Sequence, residues 1–257
     1  ARVIAWLAGE KWRLDVFNTH GKIYEASASQ MFKVPIEAVT KGSALRQKGK
    51  VSELALGYQG GPNALIKMGA LEMGIPEDEL PKLVKMWRNA NTQIVRLWNV
   101  MNDAALKTVS TGAATQVMHG IRFTVEKGIL FIELPSKRRL AYMRPKIKEG
   151  QFGGDCLTYE GMDQTTKKWC TQDTYGGKLV ENIVQAIARD CLADAMLRLE
   201  AAGFRIVMHV HDEVVIEEPN SHVRLAEVNK IMSSPIPWAK GLPLNADSYE
   251  TIYYKKD

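Results

Sequence analysis

The stretch Val207-Met208-His209-Val210-His211-Asp212-Glu213-Val214-Val215-Ile216 sets two apolar runs on either side of a polar centre. Short β-branched runs flanking a brief polar break read as an antiparallel hairpin, with Asp212 near a tight turn and exposed at the sheet edge. A carboxylate there suits Mg²⁺, a hard cation that takes oxygen ligands, and Glu213 is a second carboxylate beside it. Two other readings of the same residues are open. One is an ordinary polar turn. The other is a transition-metal site, because His209 and His211 fall two apart on a strand, although no further His/Cys cluster completes it.

Upstream of the hairpin, Gly203 closes a long helical pattern that follows the break Tyr175-Gly176-Gly177. Before that, Arg122 to Val125, Leu130 to Leu134 and Leu140 to Met143 read as short strands, and Leu157 to Met162 with Lys168 to Thr174 as a second hairpin. The first 111 residues carry helical spacing. Ala1 to Phe32 is interrupted around Asn18 to Gly21, and Ser43 caps a helix from Ala44 to about Gly57. Gly60-Gly61-Pro62 breaks it, and Glu77 to Thr111 is helical again, with Pro81 in a first turn and an apolar face of Leu83, Met86, Trp87, Ile94, Leu97, Trp98 and Met101. Downstream, Pro219, Pro235, Pro237 and Pro243 mark a loop-rich tail, with Ser248 to Tyr254 as a last strand. Helices and strands mix without βαβ alternation, which gives an α+β fold: an antiparallel sheet with helices packed on it.

The 257 residues hold 34 Lys and Arg against 29 Asp and Glu, a formal net charge of +5 that favours polyanionic partners weakly. Cys156, Cys170 and Cys191 have neither zinc-knuckle nor redox-dithiol spacing, which argues for reduced thiols in a cytoplasmic compartment and against a disulfide-stapled secreted fold. No apolar run is long enough to span a membrane, and Val3 to Ala8 is too short and too quickly followed by charge for a signal peptide.

A second constellation lies within Leu45 to Tyr58. Arg46, Lys50, Leu54 and Tyr58 recur every four residues and line one helix face, offering two cations, an apolar side chain and an aromatic ring in that order. A nucleoside triphosphate presents the matching chemistry, phosphates at one end and a flat base at the other. A solvated basic face, with Tyr58 covering the core, is the plainer alternative. Gly49 inside this helix costs about 1 kcal/mol relative to Ala and signals a close approach by some neighbour.

Together and in this order, these pieces resemble family A (DNA polymerase I-like) DNA polymerases, phage-encoded members in particular. That family carries Arg-x3-Lys-x3-aromatic-x3-Tyr-Gly on a fingers helix, and Arg46, Lys50, Leu54 and Tyr58 occupy that window, with Gly57 before the tyrosine instead of after it. His211-Asp212-Glu213 is similar to the family's palm hairpin, and Gln185 to its glutamine near the primer terminus. The runs Ala1 to Ala8, Glu53 to Gly61, Leu134-Pro135-Ser136 before Arg139, and Thr174 to Asn182 look like further phrases of phage members.

The resemblance implies a right-hand polymerase fold without a thumb: one catalytic region, with palm elements at about 1–32 and 112–257 and mostly helical fingers at about 33–111. It implies template-directed transfer of a nucleotide from a dNTP to a primer 3′-hydroxyl, with primer–template DNA as partner and two Mg²⁺ ions in the complete enzyme. Asp212 would be a metal ligand and, with Lys50 and Glu213, catalytic. Arg46, Lys50, Leu54, Tyr58 and His211 would bind the dNTP, and Gln185, Lys178 and Asn182 the DNA. The fingers helix would close on a matched nucleotide. The chain departs from the family pattern in starting after the first palm motif, Asp-Tyr-Ser-x-x-Glu, so the other metal carboxylate is expected upstream and the piece is expected to be inactive alone. Leu54 replaces an aromatic residue, Gly177 and Glu181 stand where many relatives have Arg and Asn, and Tyr24 stands for a histidine. A non-catalytic DNA-binding prophage remnant and a metal-dependent nuclease built on His211-Asp212-Glu213 are the alternatives. Oligomeric state is open at this level.

Overall fold

A computed structural model describes residues 1–150, 153–219 and 223–255. Its contacts divide into two compact units, Ala1–Ile183 and Val184–Asp257.

The first unit opens with helices α1 (Arg2–Ala8), α2 (Lys11–Thr19) and α3 (Ile23–Phe32). The break foreseen near Asn18 is present, and a further one falls at Gly9, whose φ of 68° ends α1 in the left-handed region that favours glycine. Helix α4 (Ala44–Leu56) starts at Ser43, whose hydroxyl accepts the Arg46 backbone N–H. Pro62 opens the short α5 (Pro62–Lys67), and α6 (Leu80–Ala90) and α7 (Thr92–Thr111) follow. Trp87 and Trp98 stack at 6.1 Å between centroids, and Leu83, Ile94, Leu97 and Met101 are fully buried. Met86 is half-buried at the edge of that apolar face.

Helix α7 packs on a six-stranded antiparallel meander, ordered β1 (Thr115–Gln116), β2 (Arg122–Glu126), β3 (Ile129–Glu133), β4 (Arg139–Glu149), β5 (Asp155–Met162) and β6 (Trp169–Thr174). Phe123, Leu130, Ile132, Tyr142 and Leu157 form its buried face. The third strand of the sequence reading runs six residues past Met143. A bulge between Met143 and Lys146 absorbs Arg144, at φ 47°, and Pro145, which has no N–H to give to a ladder.

Helix α8 (Gly176–Ala201) contains the boundary between the units. Gly176 and Gly177, read as a break, instead form its first turn. A Cβ on Gly176 would strike the Trp98 carbonyl, and one on Gly177 would strike Tyr58 and Gln59, so the glycines answer to packing and not to a chain reversal.

The second unit holds the rest of α8, the hairpin β7 (Arg205–Val210) and β8 (Glu213–Glu217), and α9 (Leu225–Met232). Leu199, Phe204 and Val228 make a small core, against which Ile206, Val214, Ile216, Ile231 and Met232 pack. Helix α9 lies in the tail that the prolines marked as loop. Ser248 to Tyr254 is no strand. Its hydroxyls make local bonds instead of flanking a ladder, Thr251 Oγ1 donating to the Tyr253 carbonyl and the Tyr249 hydroxyl to the Lys255 carbonyl.

Candidate active site

In the first unit, α4 displays the stripe. Its opposite face is closed by α3: Gly49 is buried, and a Cβ there would run into the Tyr24 carbonyl and the Ala28 side chain. The neighbour that demanded a glycine is thus the α3 backbone. With that face packed, Lys50 is half-exposed, and its side chain has no hydrogen bond or ion pair among the described residues. Leu54 is 47% exposed, an apolar side chain left in solvent between Lys50 and Tyr58. Arg46 is engaged. Its Nε donates to Glu25 Oε1 at 2.6 Å, and its guanidinium lies 5.6 Å from the Tyr24 ring centroid. Partial burial acts to raise the Glu25 pKa, but the Arg46 hydrogen bond and charge outweigh it and leave the carboxyl below its ordinary value.

Tyr58 ends the stripe. Burial, reinforced by the Glu181 charge, pushes its phenol up to about 12, so it stays a neutral O–H donor at any working pH. Its segment is anchored at three points. Trp98 Nε1 donates to the Gly57 carbonyl at 3.0 Å, Arg88 to the Gly60 carbonyl at 3.2 Å, and the Gly177 N–H to Gln59 Oε1 at 2.9 Å. Gln59 thereby satisfies one of the free N–H groups at the start of α8.

Below the stripe lies a network that the sequence reading missed. Arg13, 1% exposed, grips Glu53 with two bonds of 2.7 and 2.5 Å. Trp87 Nε1 donates to the same carboxylate at 2.9 Å, and Arg13 Nε donates to Asn91 Oδ1 at 2.6 Å. Burial alone would raise the Glu53 pKa. The Arg13 charge, with hydrogen bonds from Arg13, Ser27 and Trp87, turns the balance and holds it below the usual value. Neither residue can meet a ligand, so the pair pins α2 and α4 to α6 and sets the position of the stripe.

On α8, Lys178 is paired with Glu181 at 2.9 Å, and Asn182 Nδ2 donates to the Tyr142 hydroxyl at 2.9 Å. Gln185 is exposed. Arg189, also exposed, continues the i, i+4, i+7, i+11 spacing from Lys178 and was not singled out in the sequence, although that periodicity was there to find.

In the second unit, His211 and Asp212 form the two-residue turn of the hairpin, both exposed, with Val210 paired to Glu213. His211 has φ 52° and so has left the strand. It no longer faces the same side as His209, which removes the geometric basis of the transition-metal reading. Left-handed backbone at a residue other than glycine is strained and gathers at functional sites. Glu213 Oε2 accepts the Tyr254 hydroxyl at 3.2 Å. Among the described residues no group of three His, Cys, Asp or Glu side chains could hold a metal, and the three cysteines are free. Asp212 and Glu213 supply the oxygen donors a hard cation takes, as part of a ligand set and not as a whole one.

The fold is that of a polymerase domain. Over 95% of its length the chain superposes on 36% of the solved POL domain of Pol1 from M. smegmatis, in a complex with DNA primer-template and dNTP, with a TM-score of 0.55 and 20% sequence identity. In sequence it is 62% identical, over 258 aligned residues and its whole length, to the DNA polymerase of Bacillus phage SP02. It spans 40% of that protein. No protein-family model matches the chain. No helix among the described residues is long and apolar enough to cross a membrane.

Proposed function

We propose that this chain is the palm-and-fingers region of a family A DNA polymerase that transfers a nucleotide from a dNTP to a primer 3′-hydroxyl under template direction, in the cytoplasm of a bacterial or phage-infected cell. The observation that carries this reading is the 62% identity along the whole chain to a phage DNA polymerase. The fingers are residues 33–111, and the palm comprises 1–32 and 112–257.

Each residue has a role in this reading. Lys50, unpaired and half-exposed, meets the triphosphate and passes a proton to the departing pyrophosphate. Arg46 exchanges or shares its Glu25 partner for phosphate oxygens, which its forked donors fit. Leu54 lies under the sugar, and the neutral Tyr58 borders the base pair. Gln185, with Lys178 and Asn182, follows the minor groove, where acceptors recur in every correct pair. His211 touches the primer end or the triphosphate. Asp212, with Glu213 beside it, would hold Mg²⁺ as part of a larger set of oxygen ligands. When bound, Mg²⁺ supplies charge neutralisation for the attacking and leaving oxygens.

Single-nucleotide incorporation tests this directly, with the chain joined to its upstream region. Lys50→Gln is expected to slow the maximal rate about 100- to 1,000-fold, the cost of one transition-state donor, with primer–template affinity unchanged. Incorporation at the parent rate would remove Lys50 from the chemistry.

A further inference from the structure

We propose that the open face of β4, β5 and β6 is a docking surface for single-stranded nucleic acid, which on the polymerase reading above is the unpaired template strand. The ladder register places Met162 opposite Trp169, Glu160 opposite Thr171 and Met143, Thr158 opposite Lys146 and Asp173, and Cys156 opposite Lys148. Directly opposed residues share a face, so these rows lie side by side on one side of the sheet, about 7 Å apart along the strands. The other side carries the buried Leu157 and Thr174; on the proposed face Thr158 is also buried, so the open part is the end that holds Met143, Met162 and Trp169.

Trp169 is the one exposed tryptophan of the chain's six, at 58%, and it opens the edge strand β6. Its ring is held in place. Glu160 Oε2 accepts both the Trp169 indole N–H at 3.3 Å and the Arg144 guanidinium at 3.0 Å. An indole fixed at its polar edge and bare on its face is a stacking platform, and stacking accepts any base.

Cations lie at one end of that platform and along the same face, Lys146 and Lys148 two and three rows from Trp169, about 13 and 20 Å along the strands. Arg144, Lys146 and Lys148 come from β4, and Lys167 and Lys168 from the β5–β6 turn. Asp163 organises that turn by accepting the N–H groups of Thr165 and Thr166 at 3.0 and 2.6 Å, so its carboxylate is committed there. Asp173 pairs with Lys148 at 2.7 Å, and Glu160 is taken as described. The side chains of Lys146, Lys167 and Lys168 form no hydrogen bond or ion pair among the described residues. Free positive charge beside a fixed aromatic face matches a phosphodiester chain with unpaired bases better than it matches a protein partner, which would want a larger apolar patch than Trp169 and Met162 offer.

The test is fluorescence anisotropy of a labelled 20-nucleotide single strand, run beside a blunt duplex and a primer–template, with tryptophan quenching as a second signal. Trp169→Ala should weaken single-strand binding about tenfold or more and leave blunt-duplex binding unchanged, and Trp169→Phe should keep most of the affinity. Lys146→Gln with Lys168→Gln, a pair that leaves the platform intact, should lower the salt slope of log K by about 1.4 on the single strand. Equal single-strand affinity in the parent and both variants overturns the proposal while leaving the polymerase reading standing. Single-strand binding lost in the variants, in a protein that extends no primer even with its upstream region, supports the surface and sinks the polymerase reading. Absence of all DNA binding overturns both.

Discussion

Leu54, exposed on its helix, and His211, at a positive φ, are two residues to which the proposed function gives roles that packing does not. Leu54 is exposed between Lys50 and Tyr58, and the proposed function gives it a contact with the nucleotide sugar. Leu54→Phe should shift the preference between deoxy- and dideoxynucleotides in competitive single-turnover incorporation, and identical preferences would separate Leu54 from the sugar. His211, at φ 52°, occupies a backbone region where glycine fits without cost. His211→Gly should leave the unit as stable or more stable, by up to about 1 kcal/mol in urea unfolding, while lowering incorporation. A clear loss of stability would mean the imidazole holds the turn. The placement of Asp212 at a hairpin turn and of Lys50 on an open helix face was legible in the sequence, from the apolar runs that flank the turn and the four-residue recurrence of a helix. Arg13 was not. A buried arginine carries no local sequence mark, since its partners Glu53 and Asn91 are 40 and 78 positions away.

Among the elements, α4 bears the proposed nucleotide stripe, and what fixes it is the buried Arg13–Glu53 pair together with the glycine junction to α8. Removing one member of a buried ion pair leaves the other charge stranded, which typically costs 3–5 kcal/mol. Glu53→Gln should approach that loss in chemical denaturation, whereas Arg13→Met with Glu53→Leu should recover much of it. The pair also gives a pH dependence. The folded Glu53 pKa lies below its ordinary, unfolded value. Its stabilisation is therefore present above that value and drains away as pH falls through the folded pKa. Melting scans from pH 7 downward should show an acid-side fall that the double variant lacks. Gly177→Ala would force a Cβ onto Tyr58 and Gln59, an overpacking worth about 1–3 kcal/mol. The elements were read well where periodicity ruled, as in α4, β2, β3 and the β7–β8 hairpin. They were misread where a long-range contact decided, as at Gly176-Gly177, or where a bulge carried a strand past a proline, as in β4.

For the whole molecule, the α+β class followed from the order of the elements, but the division into units at Ile183 and Val184 did not, because it falls inside an unbroken helical pattern. The proposed stripe lies in the first unit and the proposed metal carboxylate in the second. The direct test is single-nucleotide primer extension with Mg²⁺, comparing this chain, the chain extended upstream through an Asp-aromatic-Ser motif, and that longer form carrying Asp212→Asn. Extension by the longer form is expected, lost on Asp212→Asn while primer–template binding persists. No extension by any form despite tight primer–template binding, or undiminished extension by the Asp212→Asn form, would contradict that expectation.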